Sequence, residues 1–173
     1  FNNDQEAAAG LAALRQDPEV LYAEPDYKVR IQETTGRIPN DFEFAKQTGL
    51  LNSGRDGAKP GADIHATEAW RIATGDRKVI VAIIDTGIDY NHPDLAPNIW
   101  RNPKEIPGNG IDDDGNGFID DVHGYDFVAR DSDPLDDNEH GTHVSGIVGA
   151  AGNNGFGISG VCWNVTLMAV KAF

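Results

Sequence analysis

The sequence predicts an α/β protein built on a doubly wound, mainly parallel sheet. Residues 79–84 form an unbroken β-branched and apolar run, which suits a strand buried on both faces of such a sheet. Residues 165–173 predict a second buried strand. Between the two, apolar side chains recur at the i, i+3, i+4 and i+7 spacing from Val144, which predicts a helix that begins at His140. Two strands cannot close a doubly wound sheet, so we expect an incomplete sheet with open strand edges.

The composition supports a globular core and argues against a nucleic-acid surface. Of 173 residues, 39% are hydrophobic, and the formal net charge is −14, whereas a nucleic-acid-binding protein would carry a basic patch. Most of the excess negative charge is local, because residues 112–139 hold eleven Asp and Glu residues and one Arg. Cys162 is the only cysteine, so no internal disulfide can form. No apolar run is long enough to span a membrane, and no signal-peptide pattern is visible. Because the chain does not begin with Met, we expect that a targeting segment was lost upstream of Phe1.

The first sixty residues predict a small α+β segment followed by a linker. Residues 5–16 are rich in alanine and predict a helix that ends before Pro18. Short strands are predicted at residues 20–24 and 27–31. Residues 32–62 are rich in Gly, Pro, Asn and Thr, which predicts a linker and then an irregular surface segment.

A further helix is predicted directly before the first buried strand. Asp63 would cap this helix, and Ile64, Trp70 and Ile72 would be its apolar residues. Gly75 would mark its C-terminal end.

Two polar side chains are placed for chemistry. Asp85 follows the end of the first buried strand, and in doubly wound sheets function collects at the carboxyl ends of strands. His140 stands at the head of the predicted helix, where Gly141 would let another chain approach closely. Asp85 and His140 fit the orienting carboxylate and the general base of a hydrolase triad, in which the base activates a nucleophile. For a histidine considered alone, a capping or core role would be the simpler interpretation.

The motifs around these two residues resemble those of a known family. Residues 85–87 (DTG) and 140–146 (HGTHVSG) are similar to the aspartate and histidine motifs of the subtilases, the subtilisin-like serine endopeptidases, whose chain order is Asp, His, Ser. The resemblance implies a subtilisin-like doubly wound sheet and hydrolysis of protein or peptide substrates through an Asp-His-Ser triad. The family's nucleophile motif, Gly-Thr-Ser followed by a small residue, and its oxyanion asparagine are not among these residues. We therefore interpret the chain as the N-terminal part of a longer precursor of the bacterial type, and we expect it to be inactive alone.

The start of the chain carries a second, shorter resemblance. Residues 14–26 are similar to the end of a subtilase propeptide. This implies that residues 1–33 are the C-terminal part of an inhibitory propeptide, which would act on its own enzyme, and that residues 34–173 are the N-terminal part of the catalytic domain. The cut would lie between Gln32 and Ile38. The resemblance also implies a secreted or cell-surface enzyme.

The acidic loop, residues 112–121, has the spacing of the first half of an EF-hand calcium loop. Side-chain oxygens alternate along it, Gly117 stands sixth where a sharp turn is needed, and His123 replaces the bidentate Glu of position twelve. The predicted calcium ligands are Asp112, Asp114, Asn116, the carbonyl of Phe118, Asp120 and Asp121. Calcium would relieve the repulsion among these carboxylates, although a block of like charges can also be simply solvated. Similar loops bind calcium in some bacterial subtilases.

A glycine-rich stretch after the histidine helix, residues 152–161, resembles the family's strong calcium loop. The resemblance implies side-chain ligands at Asp94 and Asn154 and carbonyl ligands at Gly152, Phe156 and Ile158. A plain glycine-rich turn is the alternative interpretation.

Three functions remain open from the sequence. The leading hypothesis is a calcium-dependent serine endopeptidase, seen in part, with Asp85 and His140 as triad members. A metal-dependent hydrolase using Asp85, Asp89, His140 and His143 is a second, although no third ligand is placed by pattern. A non-catalytic calcium-binding or inhibitory module is the third.

Overall fold

The structure, a computed structural model, describes residues 4–16, 18, 20, 23 and 36–173. The chain divides into two units, Phe1–Thr34 and Thr35–Phe173. In the first unit, helix α1 spans Asp4–Gln16, in agreement with the helix predicted at residues 5–16. The strands predicted at residues 20–24 and 27–31 lie outside the described residues except for Val20 and Ala23.

Residues 36–173 of the second unit contain two α-helices, three strands and three short 3₁₀ helices. In chain order the regular elements are α2 (Ala66–Ala69), β1 (Ile80–Asp85), β2 (Gly124–Asp126), α3 (His140–Gly149) and β3 (Thr166–Lys171). The 3₁₀ helices span Phe44–Lys46, Arg55–Gly57 and Ala96–Asn98. None of the helices in the described part of the chain has the length and apolar character that crossing a membrane requires.

The three strands form one parallel sheet in the order β1-β3-β2. The predicted α/β class with a parallel sheet is therefore confirmed. Lys171 at the end of β3 lies opposite both Asp85 of β1 and Asp126 of β2. The carboxyl ends of all three strands thus meet at one edge of the sheet, where charged side chains are collected.

The main core lies between the sheet and α3. Its buried residues are Ile83, Ile88, Leu95, Ala150, Val165, Leu167 and Ala169. Val144 and Val148 of α3 pack against this cluster. The helix approaches the sheet so closely that a Cβ added at Gly149 would lie 2.5 Å from the Val165 side chain. The apolar spacing that predicted α3 therefore places its partly buried side chains on the core.

Burial of β1 on both faces was predicted and is wrong for this chain. Val81 and Ile83 pack on the core, but Ile80 and Ile84 are 53% and 64% exposed. Because side chains alternate across a strand, one face of β1 is covered by α3 and the other is open within the described residues. Ile147 of α3, predicted on the apolar side of the helix, is likewise exposed.

The helix predicted from Asp63 to Gly75 is mostly absent, because α2 has only four residues. The Asp63 carboxylate accepts the backbone N–H groups of Asn52 and His65, both at 2.7 Å, and so closes a turn rather than capping a helix. Ile72 is 92% exposed. Trp70 alone among the predicted apolar residues is buried, in a second cluster with Phe44, Leu50, Ala66 and Trp163.

Candidate active site

The structure brings Asp85 and His140 into direct contact. Asp85 is the last residue of β1 and His140 the first residue of α3, and the His140 Nδ1 to Asp85 Oδ1 distance is 2.7 Å. The hydrogen bond from His140, reinforced by the backbone N–H of Thr86, lowers the pKa of the Asp85 carboxyl. An ionised carboxylate only accepts hydrogen bonds, so Nδ1 carries the ring proton and Nε2 is left as an acceptor. The imidazole is 65% exposed, so the ring is accessible to a reactant.

Gly141 allows this contact to form. A Cβ at Gly141 would lie 2.1 Å from the carbonyl oxygen of Gly87, so the start of α3 touches the turn that follows β1. Two threonine hydroxyls tie the same elements together: Thr86 Oγ1 accepts the N–H of Gly141, and Thr142 Oγ1 accepts the N–H of Asp89, both at 2.9 Å. The close approach expected at Gly141 is therefore present.

Asp136 is a part of the site that the sequence did not single out. Its Oδ1 accepts the Thr86 hydroxyl at 2.8 Å, and its Oδ2 accepts the Thr142 hydroxyl at 2.6 Å and the Thr142 N–H at 2.8 Å. It also accepts the backbone N–H groups of Asn138 and Glu139. Burial alone would raise the pKa of Asp136, but the hydrogen bonds, chiefly from the Thr142 hydroxyl, outweigh it and lower the pKa to about 2. The carboxylate is therefore ionised at any pH near neutrality.

Lys171, at the end of β3, holds the segment that precedes His140 in the chain. This buried residue donates through Nζ to the Leu135 carbonyl at 3.1 Å and to the Asp137 carboxylate at 2.9 Å. The hydrogen bond with Asp137 raises the pKa of Lys171 despite the opposing effect of burial. The segment then ends at Glu139, which has φ 75 in the left-handed region and a carbonyl that accepts the His143 N–H. A non-glycine residue costs on the order of 1 kcal/mol there, so the surrounding contacts must hold it.

Two of the four serines are already engaged elsewhere. Ser145 is fully buried, and its hydroxyl donates to the Gly141 carbonyl at 2.7 Å. Ser159 is also fully buried, and its hydroxyl donates to the Asp41 carboxylate. Within residues 36–173, the His140 ring has Asp85 as its one hydrogen-bond partner, and no serine hydroxyl bonds to it.

In the acidic loop, carboxylates cluster around Glu105, a residue that the EF-like spacing did not predict. Glu105, Asp112 and Asp114 each offer an oxygen within 4.8 Å of the others. Glu105 is buried and also accepts the backbone N–H groups of Asp113, Asp114 and Asp120. Its distance along the chain from Asp112 placed it outside the EF-like pattern. Three converging carboxylates form the hard, negatively charged oxygen set that Ca²⁺ favours, so the residues present fit such an ion.

The other predicted ligands of this loop are used differently. Both oxygens of Asp120 accept the backbone N–H groups of residues 108–110, at 2.8 to 3.1 Å. Asp121 accepts the side-chain amides of Asn102 and Asn116, and the Asn116 oxygen accepts the Phe118 N–H. The structure therefore brings Asp112 and Asp114 together with Glu105, and directs Asp120 at a neighbouring turn.

The second predicted loop is folded around two buried carboxylates. Asp94 accepts the Asn154 amide at 2.7 Å and the Ile158 N–H at 2.9 Å. Asp41, which was not among the predicted ligands of this loop, accepts the N–H groups of Asn153 and Asn154. Among the described residues, no donor bonds to the carbonyls of Gly152, Phe156 or Ile158. Asp94 and Asn154 are thus adjacent, with the carbonyls still available.

The metal-dependent hydrolase interpretation has no support in the described residues. The only group of three or more potential side-chain metal ligands within them is Glu105, Asp112 and Asp114. Asp85, Asp89, His140 and His143 do not converge on one point in the same way.

The fold and the site together define a class of protein. A parallel α/β sheet whose strand-end aspartate holds an exposed helix-start histidine has the geometry expected of the acid and base pair in a nucleophile-activating hydrolase. Residues 76–173 match the subtilase family, more than half of the chain. The chain therefore belongs to the subtilases, a family of serine endopeptidases.

Individual relatives agree with this membership. The chain is 58% identical to subtilisin-like protease 1 of Plasmodium vivax over 93 residues, which cover 53% of this chain and 15% of that protein. It is 36% identical to the thermophilic serine proteinase of Bacillus sp. (strain AK1) over 165 residues, which cover 95% of this chain and 32% of that protein. The crystal structure of Aeromonas sobria serine protease in complex with a chaperone aligns with a TM-score of 0.58 at 26% identity, covering 81% of this chain and 22% of that one. The chain thus spans under a third of the length of these relatives.

Proposed function

We propose that this chain supplies the acid and base part of a serine endopeptidase that hydrolyses proteins or peptides. The observation that carries the proposal is the 2.7 Å contact between Asp85 and the Nδ1 of an exposed His140. In the proposed reaction, the nucleophilic serine and the oxyanion asparagine come from a part of the protease beyond these residues. The relatives, which are several times longer than the matched segments, support this arrangement.

The chemistry of the pair follows from its tautomer. His140 Nε2 would accept the serine hydroxyl proton as the oxygen attacks the scissile carbonyl, and the resulting imidazolium would be stabilised by the Asp85 carboxylate. The same ring would then donate the proton to the leaving amine, which restores neutral His140. Asp85 stays ionised throughout, in keeping with its lowered pKa.

A serine-directed fluorophosphonate tests this proposal on the complete protease. We expect covalent labelling and loss of peptidase activity in the native protein and no labelling when His140 is replaced by alanine, because the hydroxyl is not activated without the base. Labelling of the His140→Ala variant at the native rate would contradict the assignment of the base. Peptidase activity that resists the inhibitor would point to a different class of hydrolase.

The proposed organisation is that of a secreted zymogen, with residues 1–33 as the remainder of an inhibitory propeptide and residues 34–173 as the start of the catalytic domain. The match to the thermophilic serine proteinase covers 95% of the chain and so includes most of residues 1–34, which supports their being part of the protease precursor. Arg37 is packed against the second unit: its N–H donates to the Thr67 carbonyl and its guanidinium lies 4.5 Å from the Trp163 ring centroid. A propeptide cut before Arg37 would leave these contacts intact.

We also propose that the protease binds calcium through Glu105, Asp112 and Asp114, with the loop around Asp94 and Asn154 as a second site. The clustering of three carboxylates supports the first site, and the unbonded carbonyls of residues 152, 156 and 158 support the second. When bound, the ion would supply positive charge that offsets carboxylate repulsion and holds the loop in place.

Calorimetry with calcium chloride tests the first site. We expect calcium uptake by the native protein and loss of one binding event when Asp112 and Asp114 are both replaced by alanine, because two of the three clustered carboxylates are then gone. Asp113→Ala is the matched control, since that residue lies between them but bonds to Ile106 and Asn109 instead. Equal calcium uptake by all three proteins would contradict the site.

A further inference from the structure

We infer that Asp136 is a positioning residue that sets the geometry of Asp85 and His140, through two threonine hydroxyls whose direction it dictates. The inference rests on the proposed function of this pair as part of a protease. Asp136 touches neither the His140 ring nor the Asp85 carboxylate among the hydrogen bonds described, so its effect passes through Thr86 and Thr142.

The first step is the direction of the hydroxyl protons. An ionised carboxylate cannot donate, so Thr86 and Thr142 must each turn their single proton toward Asp136. Each hydroxyl then presents a lone pair to a backbone N–H on the opposite element. Thr86, after β1, accepts from Gly141 of α3, and Thr142, in α3, accepts from Asp89 after β1. One carboxylate thereby orients two reciprocal bonds that cross between the elements carrying Asp85 and His140.

The second step is that no neutral side chain can replace this carboxylate. Its two oxygens accept five hydrogen bonds in total, three at Oδ1 and two at Oδ2. Asparagine has the same shape but only one oxygen, so its NH₂ group would face either the Thr142 N–H or the N–H groups of Asn138 and Glu139. Facing donors would repel, and a threonine hydroxyl would have to reverse and abandon its backbone partner.

The third step is the effect on His140. The residues on both sides of His140 are held by the same carboxylate: Glu139 directly, Gly141 through Thr86. Glu139 also sits in the left-handed region, so its conformation depends on these contacts. A shift of the helix start would move the imidazole relative to the serine and the scissile carbonyl. Misplacement of about 1 Å can cost on the order of a hundredfold in rate.

The test is the Asp136→Asn variant of the complete protease, with the concentration of functional sites measured by active-site titration. We expect kcat to fall about ten- to a hundredfold with KM within about twofold, and the pKa on the acid limb of the kcat/KM profile to move, because the base is misplaced rather than the substrate site lost. Asp133→Asn is the matched control, since this nearby carboxylate bonds to Tyr90 and Leu135 and not to the threonines. A native kcat per titrated site in Asp136→Asn overturns the inference, whatever happens to its melting temperature.

A second variant covers the case in which Asp136→Asn does not fold. Thr142→Val keeps the carboxylate but removes one of the two cross-element bonds, and we expect kcat to fall about tenfold, with most of the rate restored in Thr142→Ser, which keeps the hydroxyl. Equal kcat in Thr142→Val and the native enzyme overturns the inference. Parallel assay of His140→Ala separates the two proposals: if that variant stays active, the proposed function fails, and if it is inactive while Asp136→Asn and Thr142→Val are unaffected, only the role of Asp136 fails.

Discussion

Replacing His140 by alanine in the complete protease is expected to lower kcat by about 10⁶, the magnitude known for loss of the triad histidine in subtilisin, a member of this family. The physical reason is the geometry at Asp85. The exposed ring is held at 2.7 Å by a carboxylate that fixes the proton on Nδ1, so Nε2 is the ring atom left to act as the base. Without it, the serine hydroxyl keeps its proton and is a poor nucleophile. Steady-state hydrolysis of a chromogenic peptide measures the effect.

His143→Ala is the matched control for this prediction. His143 lies one turn further along the same helix and is exposed, and its side chain makes no described contact with Asp85. We expect the kcat of His143→Ala to stay within a few-fold of the native value. In Asp85→Asn, by contrast, kcat should fall by about 10⁴ because the His140 ring then takes the wrong tautomer. Equal losses from His140→Ala and His143→Ala would show that the assay reports folding of α3 and not the chemistry of the pair.

Residues 1–173 assayed alone are expected to hydrolyse no peptide bond at an enzymatic rate. Within the described residues no serine hydroxyl bonds to the proposed base, and Ser145 and Ser159 are fully buried and donate to Gly141 and Asp41. In triad enzymes that lack the nucleophile, the remaining rate of about 10³ to 10⁴ over water comes from the oxyanion hole and substrate binding. The oxyanion asparagine of the family motif is not in this sequence either, so we expect even that remainder to be lost.

A casein assay on the purified chain measures this directly. Activity that disappears in His140→Ala would contradict the prediction, since it would place the nucleophile within these residues. Ser145→Ala, assayed in parallel, would then show whether the serine of α3 is that nucleophile. Activity that survives in His140→Ala would indicate a contaminating protease.

The meeting of Asp85 and His140 could be predicted because two independent regularities point to it. A continuous apolar run ends at Asp85, and parallel strands end at one edge of their sheet. The helical spacing from Val144 places His140 at a helix start. Strand and helix periodicity therefore located both elements, and the 2.7 Å contact follows from their packing.

Features that lack such periodicity could not be predicted. Asp136 is one of eleven acidic residues between positions 112 and 139, and nothing in its spacing distinguishes a carboxylate that binds two threonines from one that faces water. Glu105 reaches its cluster by local folding of the loop from a position before the EF-like spacing begins, and Asp41 reaches its cluster across a long sequence distance. β2 has only three residues, too short for an alternating pattern. The helix predicted after Asp63 is mostly absent, and that carboxylate instead closes a turn with His65 and accepts the N–H of Asn52, a tertiary partner that spacing does not indicate.

The parallel pairing of β1 with β3 has a consequence for how this unit folds. Ile80 lies opposite Thr166, so the pairing closes a segment on the order of eighty residues, and the loop-closure entropy must be overcome before any ladder bond forms. A topology dominated by such distant contacts folds slowly, without a local nucleus that contains both partners. In the sequence, α3 lies between β1 and β3. Asp85 and His140 therefore come together only when α3 packs on both strands. The geometry of the pair is therefore a property of the completed topology, and no peptide excised around either motif should reproduce it.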